Sequence, residues 1–135
     1  MSPTGYSGTP LPRKLGIAPG SRVLLDSAPD GFDLGPLPEG VVLHRRPGST
    51  PYDVAVLFCR DLSRLVHRWA VLHAAVTPAG RLWVAWPKRA SGRVTDLDEN
   101  GVRDYGLAHG RVDTKVCAVD DTWSGLAFVV RVRDR

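Results

Sequence analysis

Among its 135 residues the chain has only two cysteines and three lysines, and no apolar run near the roughly 18 residues that a membrane-spanning helix needs. Cys59 and Cys117 lie far apart, each inside an apolar run, so they read as free buried thiols and not as the framework of a disulfide-stapled domain. No His-x-His, Cys-x-x-Cys or His-Glu-x-x-His spacing occurs, and this excludes the recognised metal motifs. A Gly-x-Ser-x-Gly elbow and a Walker loop are also missing. The Met-Ser-Pro-Thr-Gly start lacks a basic segment followed by an apolar one, so the expectation is a cytoplasmic protein with no membrane association. A further absence bears most on function. Leu15 to Asp26 reads as a helix end, a Pro-Gly turn and a buried first strand, the usual approach to a glycine-rich loop, but Asp26-Ser27-Ala28-Pro29-Asp30-Gly31 follows in place of Gly-x-Gly.

The net charge of +4 comes from fifteen arginines and three lysines against fourteen acids. Acids are interleaved almost throughout, and only Arg81 to Arg93 is a sizeable basic stretch without one, so the distribution disfavours a nucleic-acid partner. A chain of this length forms one domain and buries roughly two thirds of its unfolded surface. We divide it into an N-terminal arm with a short entry helix (1–21) and a single Rossmann-like α/β domain (22–135).

The rhythm after residue 21 is β-α-β. Strands are expected at Arg22 to Asp26, Val41 to Arg45, Tyr52 to Cys59 and Leu82 to Trp86, and their continuous apolar runs suit a sheet covered on both faces. Asp61 opens a helix that carries Leu65, Val66, Trp69, Leu72 and His73 at helical spacing and stops at Thr77-Pro78-Ala79-Gly80. Asp96-Leu97-Asp98-Glu99 resembles a capping box for a second helix that runs to about His109, with Gly101 and Gly106 each costing about 1 kcal/mol against Ala. Val112 to Val119 and Leu126 to Val132 then predict an antiparallel hairpin. The expected fold is a compact, mostly parallel α/β sheet flanked by helices and ending in that hairpin, whose edge could pair with a second copy.

Ligands of open α/β sheets bind beyond the carboxyl ends of the strands. That rule selects Asp26 to Asp30 after the first strand, Cys59 to Asp61 after the third, and Trp86-Pro87-Lys88-Arg89-Ala90-Ser91-Gly92 after the fourth. Trp86 could stack on a planar ligand while Lys88, Arg89 and Ser91 pair with its polar groups; the alternative is a solvated basic loop. Trp123 and Ser124, in the turn before the last strand, form a second candidate, against a turn whose indole folds over the sheet edge. Strict alternation puts Asp113, Lys115 and Cys117 on one face, where they read as an ion pair and a buried thiol, or as an acid, a base and a nucleophile.

Several segments carry a resemblance. Gly5-Tyr6-Ser7-Gly8-Thr9-Pro10-Leu11, Trp83-Val84-Ala85-Trp86-Pro87-Lys88, Thr95-Asp96-Leu97 and Val112-Asp113-x-Lys115-Val116-Cys117-Ala118-Val119-Asp120-x-Thr122-Trp123-Ser124-Gly125-Leu126 resemble a small actinobacterial family of unknown function, domain of unknown function 3052. Leu15 to Asp26 and Asp53 to Trp86 resemble the class I S-adenosylmethionine-dependent methyltransferases, with one βα unit missing. The second resemblance implies a methyltransferase-like fold and S-adenosylmethionine as cofactor. Two departures oppose the cofactor: the missing glycine loop, and His44-Arg45-Arg46 where an acid for ribose hydroxyls is usual. The functional expectation is therefore a non-catalytic module that binds a small molecule or a protein, without a cofactor. The alternative is a small enzyme, either a divergent methyltransferase or one using Asp113, Lys115 and Cys117.

Overall fold

A computed structural model describes residues 8–135. The entry helix α1 (Leu11–Leu15) leads into β1 (Arg22–Asp26), β2 (Val42–His44) and β3 (Tyr52–Phe58). Next come α2 (Leu62–Ala75), β4 (Val76–Pro87), α3 (Glu99–Ala108), β5 (Val112–Ala118) and β6 (Trp123–Val129). One six-stranded sheet results, in the order β2-β1-β3-β4-β6-β5. It is mixed: β2, β1, β3 and β4 run parallel, whereas β6 lies antiparallel between β4 and the edge strand β5.

Alternation along the central strands builds two cores. Leu24, Leu57, Leu82, Val84, Trp86 and Phe128 face the side where α2 brings Leu65, Trp69 and Leu72, and α3 brings Val102. Val23, Val56, Phe58, Trp83 and Trp123 face the other side, under Leu15 and Ile17. Trp83 donates its indole N–H to the Leu15 carbonyl at 2.9 Å, which gives a fully buried polar group its partner and ties the entry helix to the sheet.

Asp61 is the N-cap of α2 as expected, accepting from the Arg64 amide at 3.0 Å. The far end differs from expectation. The chain passes straight from Ala75 into β4, and Thr77 to Gly80 form an irregularity within that strand, where the β3 register jumps from Tyr52↔Val76 to Val54↔Arg81. Turn-rich composition here marks a bulge and not a loop. Asp98, not Asp96, is the N-cap of α3, accepting from Gly101 at 2.8 Å. Asp96 accepts from the Leu62 amide at 2.8 Å and so satisfies the start of α2. Gly106 is close-packed: a Cβ there would collide with the Phe128 ring.

Candidate functional site

The carboxyl end of β1 carries a buried ion pair. Asp26 is 4% exposed, and its carboxylate receives Arg68 Nη2 at 2.6 Å and Nε at 3.3 Å, with the Ser27 hydroxyl donating at 2.8 Å. This two-point contact comes from α2, 42 residues away. The hydrogen bond to Asp26 raises the Arg68 pKa above its ordinary value. Ser27 has φ +62°, and it is the only non-glycine residue with positive φ among the described residues. A left-handed residue therefore does follow β1, but it is a serine turned back onto Asp26, the carboxylate that Arg68 also holds.

At the end of β3, Cys59 is fully buried, and burial pushes its thiol pKa upward, away from nucleophilic use. Beyond it a shallow cavity of about 340 Å3 is lined by Arg60, Asp61, Ser63, Arg64 and His67.

A cavity of about 310 Å3 opens at the end of β4, with Trp86, Arg89, Arg93, Asp96, Leu97 and Asp98 among its walls. Trp86 is 5% exposed and belongs to the core beneath α2 and α3, so it contributes an edge of the wall and no open stacking platform. The Ser91 hydroxyl donates to the Lys88 carbonyl at 2.6 Å and accepts from the Arg93 amide at 3.2 Å, so it shapes the loop around a short 3-10 turn at Arg89–Ser91. Lys88 is held through its backbone, donating to the Thr122 carbonyl at 2.7 Å. Arg89 and Arg93 are exposed and make no ion pair among the described residues.

That Lys88 bond brings the β4 loop and the turn before β6 together, but not their indoles. Trp86 is opposite Ser124, and Pro87 is opposite Trp123, so the two tryptophans lie on opposite faces of the sheet. Trp123 is 4% exposed and meets Phe58 edge-on at 5.2 Å, while Asp120 accepts from the Thr122 and Trp123 amides.

The structure also separates Asp113 from Lys115 and Cys117. Asp113 pairs with Phe128 and Lys115 with Ala127, so an irregularity at Thr114 interrupts the alternation. Asp113 turns toward α3 and accepts from Arg103 Nε at 2.9 Å, whereas Lys115 Nζ lies 6.0 Å from the Trp83 ring on the other face. Cys117 stays on the Lys115 side; burial raises its pKa, against the opposing charges of Lys14, Lys115 and Lys88. No acid–base–nucleophile set is assembled by these three residues.

The histidines have separate duties. His44 Nδ1 meets the Tyr52 hydroxyl at 2.6 Å, and His109 Nδ1 meets the Tyr105 carbonyl at 2.7 Å. His73 Nδ1 accepts from Arg111 Nε at 2.9 Å. Arg111 is 2% exposed, also donates to the His73 and Val76 carbonyls at the end of α2, and has its pKa lowered to about 10 by burial. Among the described residues no group of three His, Cys, Asp or Glu could hold a metal ion, and no helix is long and apolar enough to cross a membrane.

Sequence reasoning passed over Arg68 and Arg111. Arg68 had a weak signal, as the third member of an Arg60, Arg64, Arg68 series at four-residue spacing; Arg111 had none.

No family model and no curated protein matches the chain. Among solved structures it is similar to the "DhpI-SAH complex structure", with a TM-score of 0.62 and 13% identity, covering 92% of this chain and 83% of that one. At that identity the likeness shows the fold alone, an α/β sheet of Rossmann-like, methyltransferase-like architecture.

Proposed function

We propose that the chain is a non-catalytic, regulatory small-molecule-binding module on a degenerate methyltransferase-like fold, with its ligand in the cavity at the end of β4. One observation supports this reading: at the β1 end Arg68 is paired with Asp26, while a cavity opens at the β4 end beside two guanidinium groups that have no carboxylate partner among the described residues. In α/β sheets the strand ends are where ligands bind, so closing one and opening another moves the working surface. Membership of the small actinobacterial family of unknown function belongs to the same proposal and is supported by the motifs that resemble it; a cytoplasmic setting is proposed separately, from the expectation drawn on the start of the sequence and its lack of a membrane-length apolar run.

The alternative is a divergent methyltransferase, favoured by the likeness to a protein solved with SAH. Incubating the purified protein with S-adenosylmethionine separates the two. The module reading expects neither turnover nor binding; turnover that disappears in Asp26→Asn overturns it.

A further inference from the structure

The four charged residues of the β4-end cavity are of both signs and form no pairs with one another. Arg89 and Arg93 stand on the same walls as Asp96 and Asp98, but no ion pair within 4.0 Å joins any of them among the described residues. Each carboxylate is half engaged. One oxygen of Asp96 accepts from the Leu62 amide and one of Asp98 from the Gly101 amide, and the second oxygen of each makes no hydrogen bond among the described residues. Both carboxylates are exposed, and each keeps one oxygen outside its cap.

Such a cavity offers neither a simple anion nor a simple cation a wall of one opposite sign. An anion drawn to the arginines meets Asp96 and Asp98, and a cation drawn to the carboxylates meets Arg89 and Arg93. A molecule with a positive and a negative group on one small frame meets complementary charge at both ends. About 310 Å3 is at the low end of the roughly 300–1,000 Å3 of small-molecule sites, too little for a dinucleotide. The edge of Trp86 and the buried Leu97 supply an apolar floor.

The geometry points to a small zwitterion, an α-amino acid, as the ligand of this cavity, an inference that rests on the module reading above. Its carboxylate takes the guanidinium groups of Arg89 and Arg93, its ammonium takes the free oxygens of Asp96 and Asp98, and its side chain lies against Trp86 and Leu97.

The test is a titration of the 15N-labelled chain with each standard L-amino acid, following the Trp86 indole N–H, which Trp86→Phe identifies. Analogues that lack the amine or the carboxylate are titrated in parallel, and a general metabolite panel is run by thermal shift. The expected result is a saturable shift for one or a few amino acids, with either truncated analogue about tenfold weaker or more, the effect of losing one charge-assisted contact. Asp96→Asn and Asp98→Asn keep an oxygen for each cap but remove the charge, so they are expected to weaken amino-acid binding while the chain stays folded. Arg89→Ala and Arg93→Ala are expected to do the same. Carboxylates that bind as well as amino acids, indifferent to the Asn variants, overturn the zwitterion and leave the module reading standing. A different metabolite that shifts Trp86 does likewise, and no ligand at all from either panel overturns both.

Discussion

Arg68 holds the one buried carboxylate at the end of β1 among the described residues. Asp26 sits where an α/β sheet meets its ligands, but its carboxylate is buried and held at two points by a guanidinium from the neighbouring helix. Removing one partner of such a pair leaves an uncompensated buried charge, so Arg68→Ala is expected to cost about 3 kcal/mol of stability in urea denaturation. Replacing both partners, Asp26→Leu with Arg68→Met, is expected to recover most of that loss; a double variant as unstable as Arg68→Ala would show that the pair is not the source. His73 makes a second residue-scale prediction. Burial and the neighbouring Arg111 lower its pKa below 6.5, because the Nδ1 that accepts from Arg111 must stay unprotonated. The unfolded chain therefore binds the proton more readily, and stability that is complete above about pH 6.5 is lost as pH falls toward the lower folded value. His73→Asn keeps an acceptor without the titration, so its stability is expected to fall less between pH 7 and pH 5 than that of the parent. Equal losses would contradict the assignment.

At the scale of elements, the packing partner outweighs intrinsic propensity. Gly106 read in the sequence as a weak point of its helix, and by propensity alone Gly106→Ala would stabilise α3 by about 1 kcal/mol. The Phe128 ring occupies the space a Cβ needs, so the variant is expected to be destabilised by about 1–3 kcal/mol, seen as a lower urea midpoint. A raised midpoint would refute the packing argument. The same contrast sets what was legible in the sequence. Strands β1 and β3 and the Asp61 cap were readable because local pattern and tertiary role agree there. Thr77 to Gly80 were misread because a bulge and a loop ask for the same residues. The separation of Asp113 from Lys115 was hidden, because one irregular residue at Thr114 reverses a parity that the sequence alone presents as unbroken. Trp86 lies near the end of β4 as expected but is core and not an open platform, whereas Trp123 begins β6 instead of standing in the turn before it, and its indole is buried, as the alternative of a folded-over indole anticipated.

For the whole molecule, the sheet sorts its chemistry by edge and by face. Acids at the carboxyl edge are largely committed to structure: Asp61, Asp96 and Asp98 to helix starts, Asp120 to its turn and Asp26 to Arg68. Arg89 and Arg93 carry no such commitment among the described residues, and the cavity they line lies next to the start of α2 through Asp96. Contacts like that of Arg68 with Asp26 could not be read from one sequence, because they join elements far apart in the chain. The ligand site proposed for this methyltransferase-like sheet lies at the end of β4, where a cavity opens, and not at the end of β1, where Arg68 holds Asp26. Calorimetric titration of S-adenosylmethionine and of SAH into the intact protein tests that claim most directly. No saturable heat is expected from either compound. Stoichiometric binding that is lost in Asp26→Asn would contradict it.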